Sequence, residues 1–223
     1  AHNASGHNMV TKAADASIQW IVNNQPKLKY VSISGNMCCD KKNSAVNALY
    51  GRGKEVIAEL VIPAKVCQKM LRATAHDIHD LNIKKNLLGS VMAGSVRSAN
   101  AHFANMLLAI YLATGQDAAN IVEGSQGIVQ TAVRDHDLYF SVTLPNIIVG
   151  TVGNGKDNEQ TQKNLRILGC TQDDPKSSQK LATIIAATVL CGELSLLAAQ
   201  CNPGELMRAH LSLERKNKRN NNE

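Results

Sequence analysis

Aromatic side chains are scarce: one Trp, two Phe and four Tyr make up 3% of 223 residues. So few rings exclude the stacking platforms on which single-stranded nucleic acids are held. Long apolar runs are missing as well. No stretch reaches the roughly 18 to 20 uninterrupted apolar residues that cross a bilayer, and no basic region followed by an apolar stretch opens the chain. A membrane span and a signal peptide are therefore not expected, and the cytoplasm is the expected location. Metal-ligand spacing is absent from the six cysteines: only Cys38 and Cys39 are adjacent, while Cys67, Cys170, Cys191 and Cys201 sit in apolar helical contexts. That usage fits a reducing compartment. What the chain does have is 44% hydrophobic residues, enough for the core of one domain or one and a half. The formal charge of +6 suggests an anionic partner, but four of the cations lie in Arg215-Lys216-Asn217-Lys218-Arg219, which reads as a solvated, disordered end.

The hydrophobic pattern divides the chain into mixed elements. Residues 8–23 carry apolar side chains at helical spacing, stopped by Asn23-Asn24-Gln25-Pro26, and a strand is expected at 29–34. Gly51-Arg52-Gly53-Lys54 is a turn into a strand at 55–62, and Pro63 opens a short helix to about 74. Another helix begins within 80–88. Residues 95–114 are almost unbroken helix formers, ended by Gly115, and predict a buried central helix. Strands at 128–133 and 138–143 flank Arg134-Asp135-His136-Asp137 as a hairpin, and a further strand is expected at 146–152. Residues 154–164 read as a loop, 177–200 as a long apolar helix closed by Asn202-Pro203-Gly204, and 205–213 as a last helix. Strands and helices without regular βαβ alternation predict an α+β fold.

The densest chemistry lies in Ser34-Gly35-Asn36-Met37-Cys38-Cys39-Asp40-Lys41-Lys42. An acid beside two ammonium groups in a turn of small polar residues suits an anion, although a solvated charged turn reads the same way. Asp117 stands just past the central helix, at the negative end of its dipole, so its pKa should tend upward unless Lys41 or Lys42 pairs with it. His102 and Asn105, three apart on one helix, share a face that suits either a ligand or a core pair. Gly153-Asn154-Gly155-Lys156 lacks the Walker spacing and reads as a strand-ending turn.

Taken in order, Ser34-Gly35-Asn36 through Asp40-Lys41-Lys42, Gly51-Arg52-Gly53-Lys54, Asn86-Leu87 with Gly89-Ser90, Ala101-His102-Phe103-Ala104-Asn105, Gly115-Gln116-Asp117-Ala118-Ala119, Asp137-Leu138-Tyr139 and Gly192-Glu193-Leu194-Ser195-Leu196 resemble 3-hydroxy-3-methylglutaryl-coenzyme A reductases of the form found in eukaryotes and some prokaryotes. The resemblance covers nearly the whole chain. It implies reduction of the thioester HMG-CoA to mevalonate and coenzyme A with two molecules of NADPH. It assigns Lys41 to the oxygen that becomes negative at each hydride transfer, Asp117 to tuning that lysine, and His210 to protonating the departing thiolate. An imidazolium of pKa about 6.5 can protonate a thiolate whose thiol has pKa about 8.5. Ser34, Asn36, Asp40, Lys42, Lys85, His102 and Asn105 match acyl-binding residues or their supports. Asn3, Gly6, Asn8, Met9 and Arg215 match the cofactor side.

The match departs from the family in three places. His2 and Asn3 replace the glycine and aspartate of the cofactor motif, Glu214 stands where an asparagine is frequent, and Lys216 stands where mammalian members carry a regulatory phosphoserine. The segment Glu-Asn-Val-Ile-Gly, whose glutamate donates a proton at the aldehyde stage, precedes the matched region. The division expected from the resemblance is a remnant of the NADP-binding small domain at 1–32, the substrate-binding large domain at 33–213 and a basic tail at 214–223. The expected partners are the HMG-CoA substrate and either a second copy or a complementing amino-terminal fragment, with no nucleic acid and no membrane. The alternative reading is a remnant that keeps an acyl-coenzyme A or dimerisation surface without turnover.

Overall fold

A computed structural model describes residues 2–214. The chain opens with α1 (His7–Asn24), entered through Gly6 at φ 94°, and none of its residues is buried. Residues 29–34 form no strand among the described residues, contrary to the sequence expectation. No neighbouring strand is there to pair with them, and Ser32 instead closes a local turn, its hydroxyl donating to the Ser34 carbonyl at 3.0 Å and accepting from the Ser34 amide at 3.2 Å. A short α2 (Ala45–Tyr50), capped by Ser44, leads into β1 (Lys54–Ile62).

Next come α3 (Ala64–Val66), a π-helical turn at Cys67–Leu71, and α4 (Ala75–Leu81), which starts in a Thr74–Asp77 capping box. This helix starts earlier than the pattern suggested, and it widens into a π-helical stretch at Asn82–Gly89 before α5 (Ser90–Met92). The central helix α6 is shorter than expected, Phe103–Ala113. Left-handed backbone at Gly94 (φ 73°) and Arg97 (φ 53°) breaks the helical run. Ala99 then bonds alongside the sheet, to the Gly127 carbonyl at 3.0 Å and the Val129 amide at 2.9 Å.

A 3-10 turn (Ala118–Asn120) and α7 (Ile121–Gly124) precede β2 (Ile128–Arg134) and β3 (Asp137–Ile147). The hairpin is where the sequence placed it, with Asp135 and His136 both at positive φ as a tight two-residue turn requires. The two strands expected at 138–143 and 146–152 are instead one long β3 ending at Ile147. Beyond it the backbone leaves the sheet: the Gly150 amide bonds Gln116 and the Thr151 amide bonds the Asn3 carbonyl. The sheet is antiparallel in the order β1-β3-β2, with Val56 opposite Leu144 and Ala132 opposite Tyr139. In β3, Leu138, Phe140, Val142 and Leu144 are all fully buried.

Residues 154–164 are not all loop, because Asn158 caps α8 (Glu159–Ile167) by accepting from the Thr161 amide at 3.2 Å. Polar composition hid this helix, which buries only Thr161 and Leu165. The long α9 (Ser177–Cys201) packs Leu181, Ile185, Val189 and Leu197 against α6, β1 and β3. Each such side chain contributes about 1.5–3 kcal/mol on burial. By length and composition α9 is apolar enough to cross a membrane, although polar residues interrupt its apolar run. Half of its most apolar stretch is buried inside the fold, as suits a core helix. The described chain closes with α10 (Glu205–Glu214), packed on α9. Helices and a small antiparallel sheet make this an α+β fold, as the pattern predicted.

Candidate active site

The charged turn is built by the chain around it. Asn47, fully buried on α2, donates to the carbonyls of Cys39 and Lys42, each at 2.8 Å, and so fixes both ends of Asp40-Lys41-Lys42. Lys41 itself takes a left-handed φ of 53°. That turn sends its Nζ to 2.7 Å from Asp117 Oδ2. Asp117 arrives from the opposite side, where Gly115 (φ 62°) ends α6. Its second oxygen, Oδ1, caps the 3-10 turn by accepting from the Ala119 amide at 3.1 Å.

Of the two lysines, Lys41 is the cation that Asp117 required. Partial burial pushes the Asp117 carboxyl up, but the Lys41 hydrogen bond, the Ala119 amide and the charges of Lys41 and His7 together carry it below the usual aspartate range. The hydrogen bond to Asp117 likewise holds the Lys41 ammonium above its ordinary value, against the cost of burial. Both partners are therefore ionised at neutral pH. The Lys41 side chain remains 40% exposed despite this pairing.

Behind this pair lies a second layer, of which the sequence reading assigned only Asp40. Asp40 turns inward, its Oδ1 at 2.7 Å from Arg52 Nη2 and 3.8 Å from His7 Nε2. Arg52 Nε is 3.7 Å from Glu123 Oε1, and Asn120 donates to the same Glu123 oxygen at 2.7 Å. Glu123 is fully buried, and burial pushes its carboxyl up. Arg52 was visible within Gly51-Arg52-Gly53-Lys54. Glu123 was signalled only as a lone acid in an apolar stretch, and His7 by nothing local.

Lys85, His102 and Asn105 belong to a separate cluster. Lys85 donates to Asn86 Oδ1 at 3.2 Å, and Asn86 donates to Asn82 at 2.8 Å. The His102 ring lies 2.9 Å from the Gly192 carbonyl. Glu193, fully buried on α9, accepts from the amides of Ala101 at 2.8 Å and His102 at 2.6 Å, and so anchors the two residues that lead into α6. Burial pushes the Glu193 carboxyl up, while those two amides and the charges of His102 and Lys85 oppose it. Asn105 is exposed one turn further along α6. No hydrogen bond or ion pair among the described residues joins this cluster to the Lys41–Asp117 pair.

The remaining candidates sit at the edges. Ser34 and Asn36 are exposed in the turn before Asp40, with the Asn36 amide bonded to Ser34 Oγ at 3.2 Å. Lys42 Nζ folds back on the Asp40 carbonyl at 3.2 Å. His210 is exposed on α10. Arg215 and the rest of the basic tail lie outside the described residues.

On the cofactor side the residues fit an anionic dinucleotide unequally. Gly6, Asn8 and Met9 lie at an α1 start with no side-chain cap, and the amides of an uncapped first turn favour phosphate. Asn3 is buried and committed elsewhere: it donates to the Asp174 carbonyl at 2.7 Å and accepts from the Ser178 amide at 3.1 Å, capping α9 from outside. Its carbonyl receives the Thr151 amide at 2.7 Å. Gly150 permits this approach, since a Cβ there would stand 2.6 Å from the Ser5 nitrogen. His2 holds a left-handed φ of 43°, a conformation that suits the glycine it replaces.

A partly exposed lysine side chain held by a carboxylate, carried on an α+β scaffold, is an arrangement that can stabilise negative charge on a bound oxygen. The chain belongs to the hydroxymethylglutaryl-coenzyme A reductase family, whose family model matches residues 1–215. It is 49% identical over 217 residues to the 3-hydroxy-3-methylglutaryl-coenzyme A reductase of Aeropyrum pernix, covering 96% of this chain and 51% of that protein. The correspondingly named proteins of Pyrococcus horikoshii and Phycomyces blakesleeanus are 47% and 46% identical, again over 96% of this chain, and over 52% and 18% of their own lengths. The chain thus spans about half the length of the archaeal relatives.

Proposed function

We propose that this chain carries the acyl-reducing part of an NADPH-dependent reductase that converts HMG-CoA to mevalonate and coenzyme A. The observation that carries the reading is the 2.7 Å Lys41–Asp117 ion pair with Lys41 still partly open. When the thioester carbonyl lies against Lys41, the ammonium stabilises the oxyanion that forms as hydride is delivered, and Asp117 keeps the ammonium charged and aimed. NADPH supplies the hydride at each of the two reductions, with Gly6, Asn8, Met9 and Arg215 on its side of the site. His210 protonates the leaving thiolate. Ser34, Asn36, Lys42, Lys85, His102 and Asn105 receive the acyl group and its carboxylate, while Asp40, braced by Arg52, holds the turn.

In this reading residues 1–32 belong to the NADP-binding small domain and 33–213 to the substrate domain. An amino-terminal segment like that of the longer relatives, or a second copy of the chain, completes the site. The test follows NADPH oxidation with HMG-CoA, using the chain alone and the chain joined to an amino-terminal half. Turnover by the completed protein is expected, with Lys41→Ala lowering kcat by roughly 10²–10³-fold and KM changing little. Absence of turnover in both forms, or an equal loss in binding and rate for the variant, would count against it.

A further inference from the structure

Lys156 is a charged side chain for which the proposed chemistry has no use. It is 1% exposed, the one lysine buried in the core among the described residues, and among the bulkiest of the fully buried side chains. The turn before it passes through left-handed backbone at Gly153, Asn154 and Gly155, and its own amide returns to the Gly153 carbonyl at 3.1 Å. Its carbonyl is held in turn by Gln162 Nε2 at 2.6 Å. From this anchored turn the ammonium donates to the Gly115 carbonyl, two residues before Asp117. A buried ammonium requires such a partner and a compensating charge.

The same short loop is fixed at a second point. Gln116 donates to the Gly150 carbonyl and accepts from the Gly150 amide, each at 3.0 Å. Gly115, at φ 62°, leaves no room for a side chain, since a Cβ there would stand 2.8 Å from the Thr161 methyl. Two clamps therefore hold the turn that delivers Asp117: a neutral one at Gln116 and a charged one at Lys156.

We propose that Lys156 is a positioning residue for Asp117, its buried ammonium gripping the Gly115 carbonyl and lending the neighbouring carboxylate a second positive charge behind Lys41. This rests on the reading of Lys41 and Asp117 as the oxyanion-stabilising pair. The charge link is reciprocal: burial pushes the Lys156 ammonium below its ordinary value, and the Asp117 charge draws it back up. The groups that act on Asp117 are then Lys41, the Ala119 amide and His7, with Lys156 joined to it by the reciprocal charge link. Lys156 keeps Asp117 ionised to lower pH, so that Lys41 retains its partner.

The experiment titrates the Asp117 carboxyl and the Lys156 side chain by carbon-detected NMR in the full chain. Lys156→Met, which keeps the volume and removes the charge, should raise the Asp117 midpoint by about half a pH unit or more. Lys156→Arg should restore it. Gln116→Ala, which loosens the neutral clamp alone, should leave it near the wild-type value. An unmoved Asp117 midpoint in Lys156→Met, or an equal rise in Gln116→Ala, would overturn the proposal. If Lys156→Met fails to fold, Asp117→Asn supplies the reverse measurement: the Lys156 midpoint must fall, and an unchanged midpoint rejects the charge link. These readouts need no turnover, so a failed reductase assay and a failed Lys156 assignment remain separable.

Discussion

Lys41 and Asp117 lie 76 positions apart in the chain (117 minus 41) and meet at 2.7 Å, and the directions of their shifts fix how the pair responds to pH. Asp117 is held below its ordinary value, so its share of stability is present above the unfolded aspartate pKa of about 3.9 and is lost as pH falls through the folded value. Lys41 is held above its ordinary value, so its share is present below about 10.4 and is lost as pH rises through the folded value. With side chains 28% and 40% exposed, the pair contributes little to overall stability, and its weight lies in orientation. Asp117→Asn should therefore unfold slightly more easily than wild type near pH 7, with the two proteins converging below about pH 3. Denaturant midpoints measured across pH check this, and a gap that stays constant into acid would show that the carboxylate charge is not what matters. His7 illustrates a residue the sequence could not announce: its ring reaches Asp40 only because α1 and the charged turn fold together.

At the scale of elements, the buried carboxylate of Glu193 anchors the two residues that lead into α6. Sequence patterns favoured a helix from residue 95, yet the residues leading into α6 are held by a side chain some 90 positions later, which takes the Ala101 and His102 amides, while Asn100 Oδ1 accepts from the first helical amide, that of Phe103. Glu193→Ala should leave two amides unpaired and cost about 3 kcal/mol, whereas Glu193→Gln, keeping one acceptor, should cost about half that. Thermal unfolding checks the order, and equal losses would mean that packing volume rather than amide pairing governs the site. Because burial raises the Glu193 carboxyl, folding gains as pH falls through the raised value toward about 4.3, and the Gln variant should lack that gain. The elements that were legible carried local signals: the hairpin in its two-residue turn, α9 in its apolar face, Lys41 and Asp117 in residue type and placement. Those that were not depended on partners distant in sequence. The strand expected at 29–34 needed a neighbour that the described chain lacks, α8 was masked by its polar surface, and Asn3 drew its role from the start of α9.

The whole molecule has one well-packed region and one arm with almost no packing of its own. Residues on α6, α9 and β3 are buried to completion, while α1 buries nothing and exposes Met9, Val10, Trp20 and Ile21. Ile18, Ile21, Val22, Leu28, Tyr30 and Val31 line a shallow groove along this arm. An amphipathic helix with an uncovered apolar face is a surface for another element, and the archaeal relatives contain about as much chain again as is matched here. An amino-terminal half taken from such a relative should cover this arm. Trp20 reports the event directly, being the single tryptophan in the chain and 67% exposed. When a tryptophan-free amino-terminal half is added, its emission should shift to the blue and its quenching by iodide should fall, in step with complex formation followed by sedimentation. Trp20→Ala should weaken that association by about tenfold or more, the loss expected for a buried aromatic anchor. A complex that forms with the emission of Trp20 unchanged would place the added amino-terminal half on another face, and the apolar arm would then need a different partner, of which a second copy of this chain is the first to test.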